Sequence, residues 1–181
     1  YTPFLKEDGL KGKRIGLYMK PFGKNYKVDT LTYQAVRLME RQGAEIIEIP
    51  YISEVNINAL SFQVMLYEYK DGLNKYFQSL GDDAPVKSLE ELIQFNKNDS
   101  IELRYFDQDL LIMAQDMGDL NTPEYKDILD EMLQAIREDG IDHIMDDNDL
   151  DAIIASTGSP SWTTDLVNGA HYVFGSSLAS A

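Results

Sequence analysis

Apolar and polar residues alternate along this chain with two different periods, and the periods change at glycines, prolines and polar clusters. Arg14 to Met19, "RIGLYM", is a short apolar run and reads as a buried strand, approached through Gly9 and Gly12. Asp29 to Gln42 carries a helical period, with Leu31, Ala35, Leu38 and Met39 on one face. Asp29 or Thr30 is the expected cap, and Gly43 the expected left-handed stop. "AEIIEIP" then reads as a second strand, halted by Pro50. Strand, helix and strand at this spacing form a βαβ unit, which favours parallel pairing and a right-handed crossover.

A long helix is expected from about Val55 to Leu80, with Phe62, Leu66, Tyr69, Leu73, Phe77 and Leu80 at helical spacing. Met65 and Tyr76 widen that stripe, which reads as core packing. After the loop Gly81-Asp82-Asp83-Ala84-Pro85, Ser88 and Glu91 form a capping-box pattern that opens a helix through about Phe95. Another helix is expected over Asp107 to Met117, broken by Gly118 to Asn121. Thr122-Pro123-Glu124 opens the next, with Tyr125, Ile128, Met132 and Ile136 on its buried side and Gly140 at its end. "IDHIMDDNDL" reads as a short helical or turn segment that leads into "DAIIAS", a third buried strand. A polar loop, "TGSPSWTTDLVNG", follows. No internal repeat and no low-complexity linker divides the chain. The pattern predicts one α/β domain over residues 1–181, with a short parallel or mixed sheet flanked by several helices.

Composition narrows the functional classes. The chain has 181 residues, 44% of them hydrophobic and 26% charged, which suits a globular domain with its own core. Its formal net charge is -15, which opposes binding to nucleic acid or to anionic membranes. No apolar run approaches the ~20 residues that span a bilayer. Cysteine is absent, so disulfides, thiol catalysis and thiolate metal sites are excluded. Tyr1 to Lys6 lacks the apolar stretch of a signal peptide. A start at Tyr1, without a methionine, is expected mid-protein or after processing, so any upstream targeting signal would be invisible. The compartment stays open, with a lean to the cytoplasm.

Several local patterns invite specific chemistries and fail their geometry. Pro21 stands where a phosphate-binding loop needs its second glycine, and no G-x-G-x-x-G is present. In "DDNDLD", a calcium loop begun at Asp147 would place Ala152 at the required glycine and Gly158 at the closing glutamate. The run therefore reads as a solvated acidic turn. Gly175-Ser176-Ser177-Leu178-Ala179 approximates an esterase elbow, and Asp165, His171 and Ser177 could be imagined as a triad. That elbow needs a strand directly before its serine and the acid and histidine after it. Here the strand ends near Ser156, and Ser177 lies four residues from the last residue. His143 and His171, the two histidines, are not spaced as metal ligands. No metal and no cofactor is expected. What remains is the loop Thr157 to Gly169, at the carboxyl end of a strand, where open α/β sheets bind ligands.

The stretch "LDAIIASTGSPSWTTDLVNG", with "GSSLASA" beyond it, resembles the C-terminal region of amidase signature enzymes. "GLKGKRIGLY", "GAEIIEIP" and "EYKDGLNKYFQSLG" followed by "VKSLEELIQFN" resemble earlier segments of the same family, in the same order. The likeness is to peptide-amidase-like members and to the A subunit of glutamyl-tRNA amidotransferase, and it covers nearly the whole chain. It implies part of an α/β/α sandwich and a parent enzyme that hydrolyses amide carbon–nitrogen bonds with a Ser–Ser–Lys apparatus. The family's "GGSSGG"-like and "DTGGS"-like runs are not in this sequence. The expectation is therefore a C-terminal portion of an amidase, catalytically inactive alone, with Ser176 and Ser177 on a structural loop. The resemblance casts Gly158, Trp162, Asp165 and Asn168 as lining for the pocket of a small amide substrate, with no catalytic residue in the chain. An apolar face left for the rest of the enzyme is also expected, one able to drive homodimerisation. The alternative is a self-contained, non-catalytic binding module of flavodoxin-like type.

Overall fold

A five-residue central strand organises the first part of the molecule. The computed structural model describes residues 2–105, 107–158, 160 and 167. Strand β1 (Arg14–Tyr18) lies between β2 (Glu45–Ile49) and β3 (Ala152–Ile154), all parallel, in the order β2-β1-β3. Gly16 pairs with Ile47 on one side and Ile153 on the other, and Tyr18 pairs with Ile49. Ile15, Gly16, Leu17 and Tyr18 are all buried, so both faces of β1 are covered, as the unbroken apolar run requires. β3 is only half-buried along its length, less than the sequence suggested. The fold is α/β, as the period changes indicated.

Two compact units contribute. One comprises residues 1–55 together with residues from Leu133 onward, and the other runs from Asn56 to Met132. In the first unit, helix α1 (Tyr26–Arg41) joins β1 to β2. Its cap is Asn25, whose side chain accepts the Lys27 and Val28 N–H groups at 3.0 and 3.3 Å, rather than Asp29 or Thr30. Asp29 instead accepts the Gly23 N–H at 3.1 Å and ties the preceding loop to the first turn. Gly43, at φ 94, ends the helix in the expected left-handed turn. The inward face also differs from expectation. Val36 is buried and Val28, Thr32 and Met39 are half-buried, whereas Leu31, Ala35 and Leu38 point to solvent.

The same unit contains a nine-residue π-helical segment (Gln134–Asp142), which runs into α6 (His143–Asp147). Gly140 lies buried inside this segment and does not terminate a helix, contrary to the sequence expectation. Ile141, Ile144 and Met145 pack against Tyr18, Ile49, Ile52 and Leu150, with Ile47 and Ile153. This cluster is the core on the Gly16–Tyr18 face of the sheet.

The second unit is helical: α2 (Ile57–Ser79), α3 (Leu89–Asn98), α4 (Asp109–Gln115) and α5, which begins at Pro123 and ends at Leu133. Leu66, Leu89, Ile93 and Ala114 form its core. Ser88 caps α3 through the Glu91 N–H at 3.1 Å, and the Glu91 carboxylate accepts the Lys87 N–H at 2.7 Å. Lys70 Nζ donates to the Gln115 and Met117 carbonyls at 2.8 and 2.6 Å, closing the end of α4. Tyr125 and Met132 are buried and Ile128 half-buried, matching the expected face of α5. The long stripe on α2 does not match. Leu66 and Phe77 are buried, but Phe62, Met65, Tyr69, Tyr76 and Leu80 are exposed.

Candidate functional site

Strand order decides where a ligand would sit. The chain leaves β1 toward β2 on one side and returns to β3 on the other, so the connections diverge at the β1/β3 boundary. In open parallel sheets the crevice outside the carboxyl ends of the strands, at such a switch point, is the ligand position. Here that edge carries Tyr18, Met19 and Lys20 after β1, and Ala155 to Gly158 after β3. Leu17 pairs with Ile154, so the two chain exits leave the sheet side by side.

The residues beyond each strand are held differently. After β1, the Met19 N–H donates to the Ile49 carbonyl at 2.9 Å and the Phe22 N–H to the Met19 carbonyl at 2.9 Å, forming a tight turn. Phe22 stacks tilted on Tyr33 of α1, with centroids 5.0 Å apart. Tyr18 is buried among Ile49, Ile52 and Leu150, and burial raises its phenol above the ordinary value. It stays neutral and packs as an aromatic anchor at the crevice floor. A tyrosine closing an otherwise aliphatic run was the signal for it in the sequence. After β3, Ser156 is half-buried, Thr157 exposed, and Gly158 half-buried in a single-residue β-bridge. The side chains at this edge offer hydroxyls and one exposed ammonium, Lys20. Among the described residues there is no general base within this set.

Of the four pocket residues expected from the sequence, Gly158 lies at this edge. Trp162, Asp165 and Asn168 lie outside the described residues, as do His171, Ser176 and Ser177. His143 is described and belongs elsewhere. It is exposed on α6, with Nε2 3.4 Å from Asp147 Oδ2, and α6 feeds the amino end of β3. The acidic run occupies the same opposite edge. Asp151 Oδ1 meets Lys13 Nζ at 2.5 Å and its Oδ2 accepts the Arg14 N–H at 2.9 Å. The Arg14 guanidinium donates to the Asn148 and Asp149 carbonyls at 3.0–3.1 Å and to Glu45 at 2.6 Å. The Lys13 ammonium and the Arg14 amide hold the Asp151 carboxyl below its ordinary pKa. This part of the turn is a strand clamp rather than a freely solvated run. Among the described residues, no three His, Asp or Glu side chains converge as metal ligands.

Comparison with known proteins gives a consistent picture. No family-wide sequence profile matches the chain. A probable amidase of Arabidopsis thaliana is 30% identical over 161 residues, which cover 85% of this chain and 30% of the plant protein. The native peptide amidase of Stenotrophomonas maltophilia is similar over 99% of this chain, with 31% identity and a TM-score of 0.83. A peptide amidase bound to the competitive inhibitor chymostatin superposes over the same share, with 31% identity and a TM-score of 0.87. The chain spans 36–37% of these two solved proteins.

Proposed function

The chain is related to the amidases, and on that footing we propose that it forms one wall of an amide-hydrolysing site. The reacting Ser–Ser–Lys groups are supplied by polypeptide outside these 181 residues. The observation that carries this reading is where the amidase-like loop leaves the sheet. Sheet topology puts the ligand crevice at the carboxyl ends of β1 and β3. The amidase-like loop that begins at Thr157 leaves the sheet at that same edge.

The wall has a definable role. Tyr18 and the turn after β1 would form its floor, and the resemblance assigns the polar and aromatic groups to the loop that follows β3. Trp162 would pack on an apolar substrate group, while Asp165 or Asn168 would hydrogen-bond the amide. Gly158 lets the backbone come close to the ligand. Binding energy from such groups orients an amide for attack without touching the bond that breaks. A peptide amide is the substrate class favoured by the likeness to peptide amidases. The order β2-β1-β3 alone would also suit a flavodoxin-like binding module. The extent of the amidase likeness, 99% of the chain, favours the hydrolase.

Ammonia release from C-terminal peptide amides tests the proposal. The isolated chain should give none. In an enzyme containing this wall, Trp162→Ala should raise KM more than it lowers kcat. Turnover by the isolated chain, or acylation of Ser177 by a serine-directed inhibitor, would refute the assignment.

A further inference from the structure

The positive charge of this chain is concentrated near its beginning. Residues 1–41 hold nine Lys or Arg against four Asp or Glu, whereas residues 42–181 hold seven against 27. Part of that excess forms the outer face of α1. Lys27, Leu31, Gln34, Arg37, Leu38 and Arg41 fall within about 120° of arc and run ~21 Å along the helix. All six are exposed, Leu31 by 67% and Leu38 by 51%. The acidic residues of the helix, Asp29 and Glu40, lie about 60° or more outside that arc. Among the described residues, no ion pair engages Lys27, Arg37 or Arg41. Helix stability does not account for this face. Lys27 stands in the first turn, where the macrodipole disfavours a cation. Leu31 and Leu38 add nothing to the core side of α1, which is Val36 with Val28, Thr32 and Met39. Cationic and apolar side chains interleaved on one exposed helix face make a contact surface of defined chemistry.

We propose that the outer face of α1 docks a short acidic, amphipathic polypeptide segment. Its carboxylates meet Lys27, Arg37 and Arg41, and its apolar side chains cover Leu31 and Leu38. This goes beyond the amide-hydrolase reading and does not depend on it. Charge selects both the occupant and its size. An anionic partner complements the three cations, yet the whole chain carries a net charge of -15. Charges farther than about 8 Å are largely screened at physiological salt, so a thin segment feels the local cations. A bilayer or a nucleic acid is extended and would also meet the acidic remainder of the chain.

The test uses the 181-residue chain and a short fluorescein-labelled peptide of Glu, Leu and Ala, with its leucines at helical spacing. Fluorescence anisotropy should show saturable binding that weakens as salt rises. Arg37→Glu with Arg41→Glu should weaken it at least ~tenfold. Leu31→Ser with Leu38→Ser should weaken it at least ~threefold. Lys97→Glu with Arg104→Glu changes the net charge equally at exposed positions elsewhere, and should leave binding within about twofold. Absence of binding, or equal loss in both charge-reversal variants, overturns the proposal. So does sedimentation of the chain with phosphatidylserine vesicles that Arg37→Glu with Arg41→Glu abolishes, since that gives the face to a membrane. Should that variant lose its helical circular dichroism, Arg37→Gln with Arg41→Gln is judged by the same measure. No amide hydrolysis is read, so the outcome stands apart from the amidase assignment.

Discussion

Asp151 and Arg14 clasp each other through both backbone and side chain. The Asp151 N–H donates to the Arg14 carbonyl at 2.8 Å, and the Asp151 carboxylate accepts the Arg14 N–H at 2.9 Å. The pair sits where β1 and β3 begin. It fixes the register that brings Leu17 opposite Ile154 at the other end. The acidic run therefore acts at a distance on the candidate crevice, by setting how the two strands exit the sheet.

The clasp should be visible in acid. The Asp151 pKa is lowered from 3.8 by the Lys13 ammonium first and the Arg14 amide next. A carboxylate with a depressed folded pKa contributes stability that is present above its unfolded pKa and lost as pH falls through the folded one. Thermal melts of the parent should therefore lose more, relative to Asp151→Asn, below about pH 4 than above it. Asparagine keeps an acceptor for the Arg14 N–H but drops the charge, so the difference between the two curves isolates the ion pair. Parallel curves from pH 2 to 7 would contradict the assignment.

Gly16 is the tightest point of the sheet core. A Cβ there would stand 2.7 Å from Leu150 Cδ1, 3.2 Å from Ile49 Cγ1 and 3.4 Å from Ile153 Cγ1. Gly16→Ala should cost about 1–3 kcal/mol through overpacking, although alanine has the better strand propensity. Denaturant midpoints check this. Leu150→Val in the same chain should return part of the loss, because it withdraws the atom that the new methyl meets.

The strands and two of the caps were legible because each depends on a few adjacent residues. Five apolar-rich residues made β1, Gly43 ended α1, and Ser88 with Glu91 opened α3. Helix faces were less so. Leu31 and Leu38 on α1 and Phe62 and Tyr69 on α2 have the right period for a core, yet the period cannot say which of two apolar faces is covered. Val36 and Val64 are among the residues buried on those helices instead. Asn25 was passed over as a cap because Asp29 and Thr30 offer the same chemistry a few residues later. The candidate site was legible as a strand end. Its position at the β1/β3 switch point required the strand order, which only tertiary pairing supplies.

Tyr125 gives an alkaline counterpart to Asp151. Its hydroxyl donates to Glu68 Oε1 at 2.8 Å, and its ring lies 5.3 Å from that of Tyr67. Burial first, and the Glu68 carboxylate second, push its pKa to about 12. The folded value is raised, so the stabilisation is complete below the unfolded pKa of 10.0 and is lost as pH rises from there through about 12. Absorbance at 295 nm should show a late-ionising phase to which Tyr125 contributes beside the buried Tyr18, and Tyr125→Phe should reduce that phase. The same variant should lose about 0.5–1.5 kcal/mol at neutral pH, because Glu68 forfeits its donor.

Two helical glycines should respond to alanine with opposite sign. Gly72 lies within α2, and a Cβ there would meet nothing within 4 Å. Gly72→Ala should stabilise by roughly 0.5–1 kcal/mol, the ordinary gain from removing unfolded-state freedom. Gly140 lies in the π-helical segment, where a Cβ would stand 2.7 Å from the Ala135 carbonyl oxygen and 3.5 Å from Ile52 Cγ2. Backbone cannot retreat as a side-chain tip can, so Gly140→Ala should destabilise by about 1–3 kcal/mol despite alanine's helix propensity. Urea unfolding of the two variants beside the parent measures both shifts. A stabilising Gly140→Ala would mean that the segment relaxes into ordinary α-helix. It would then re-aim Ile141 and Ile144, which pack against Tyr18 at the crevice floor.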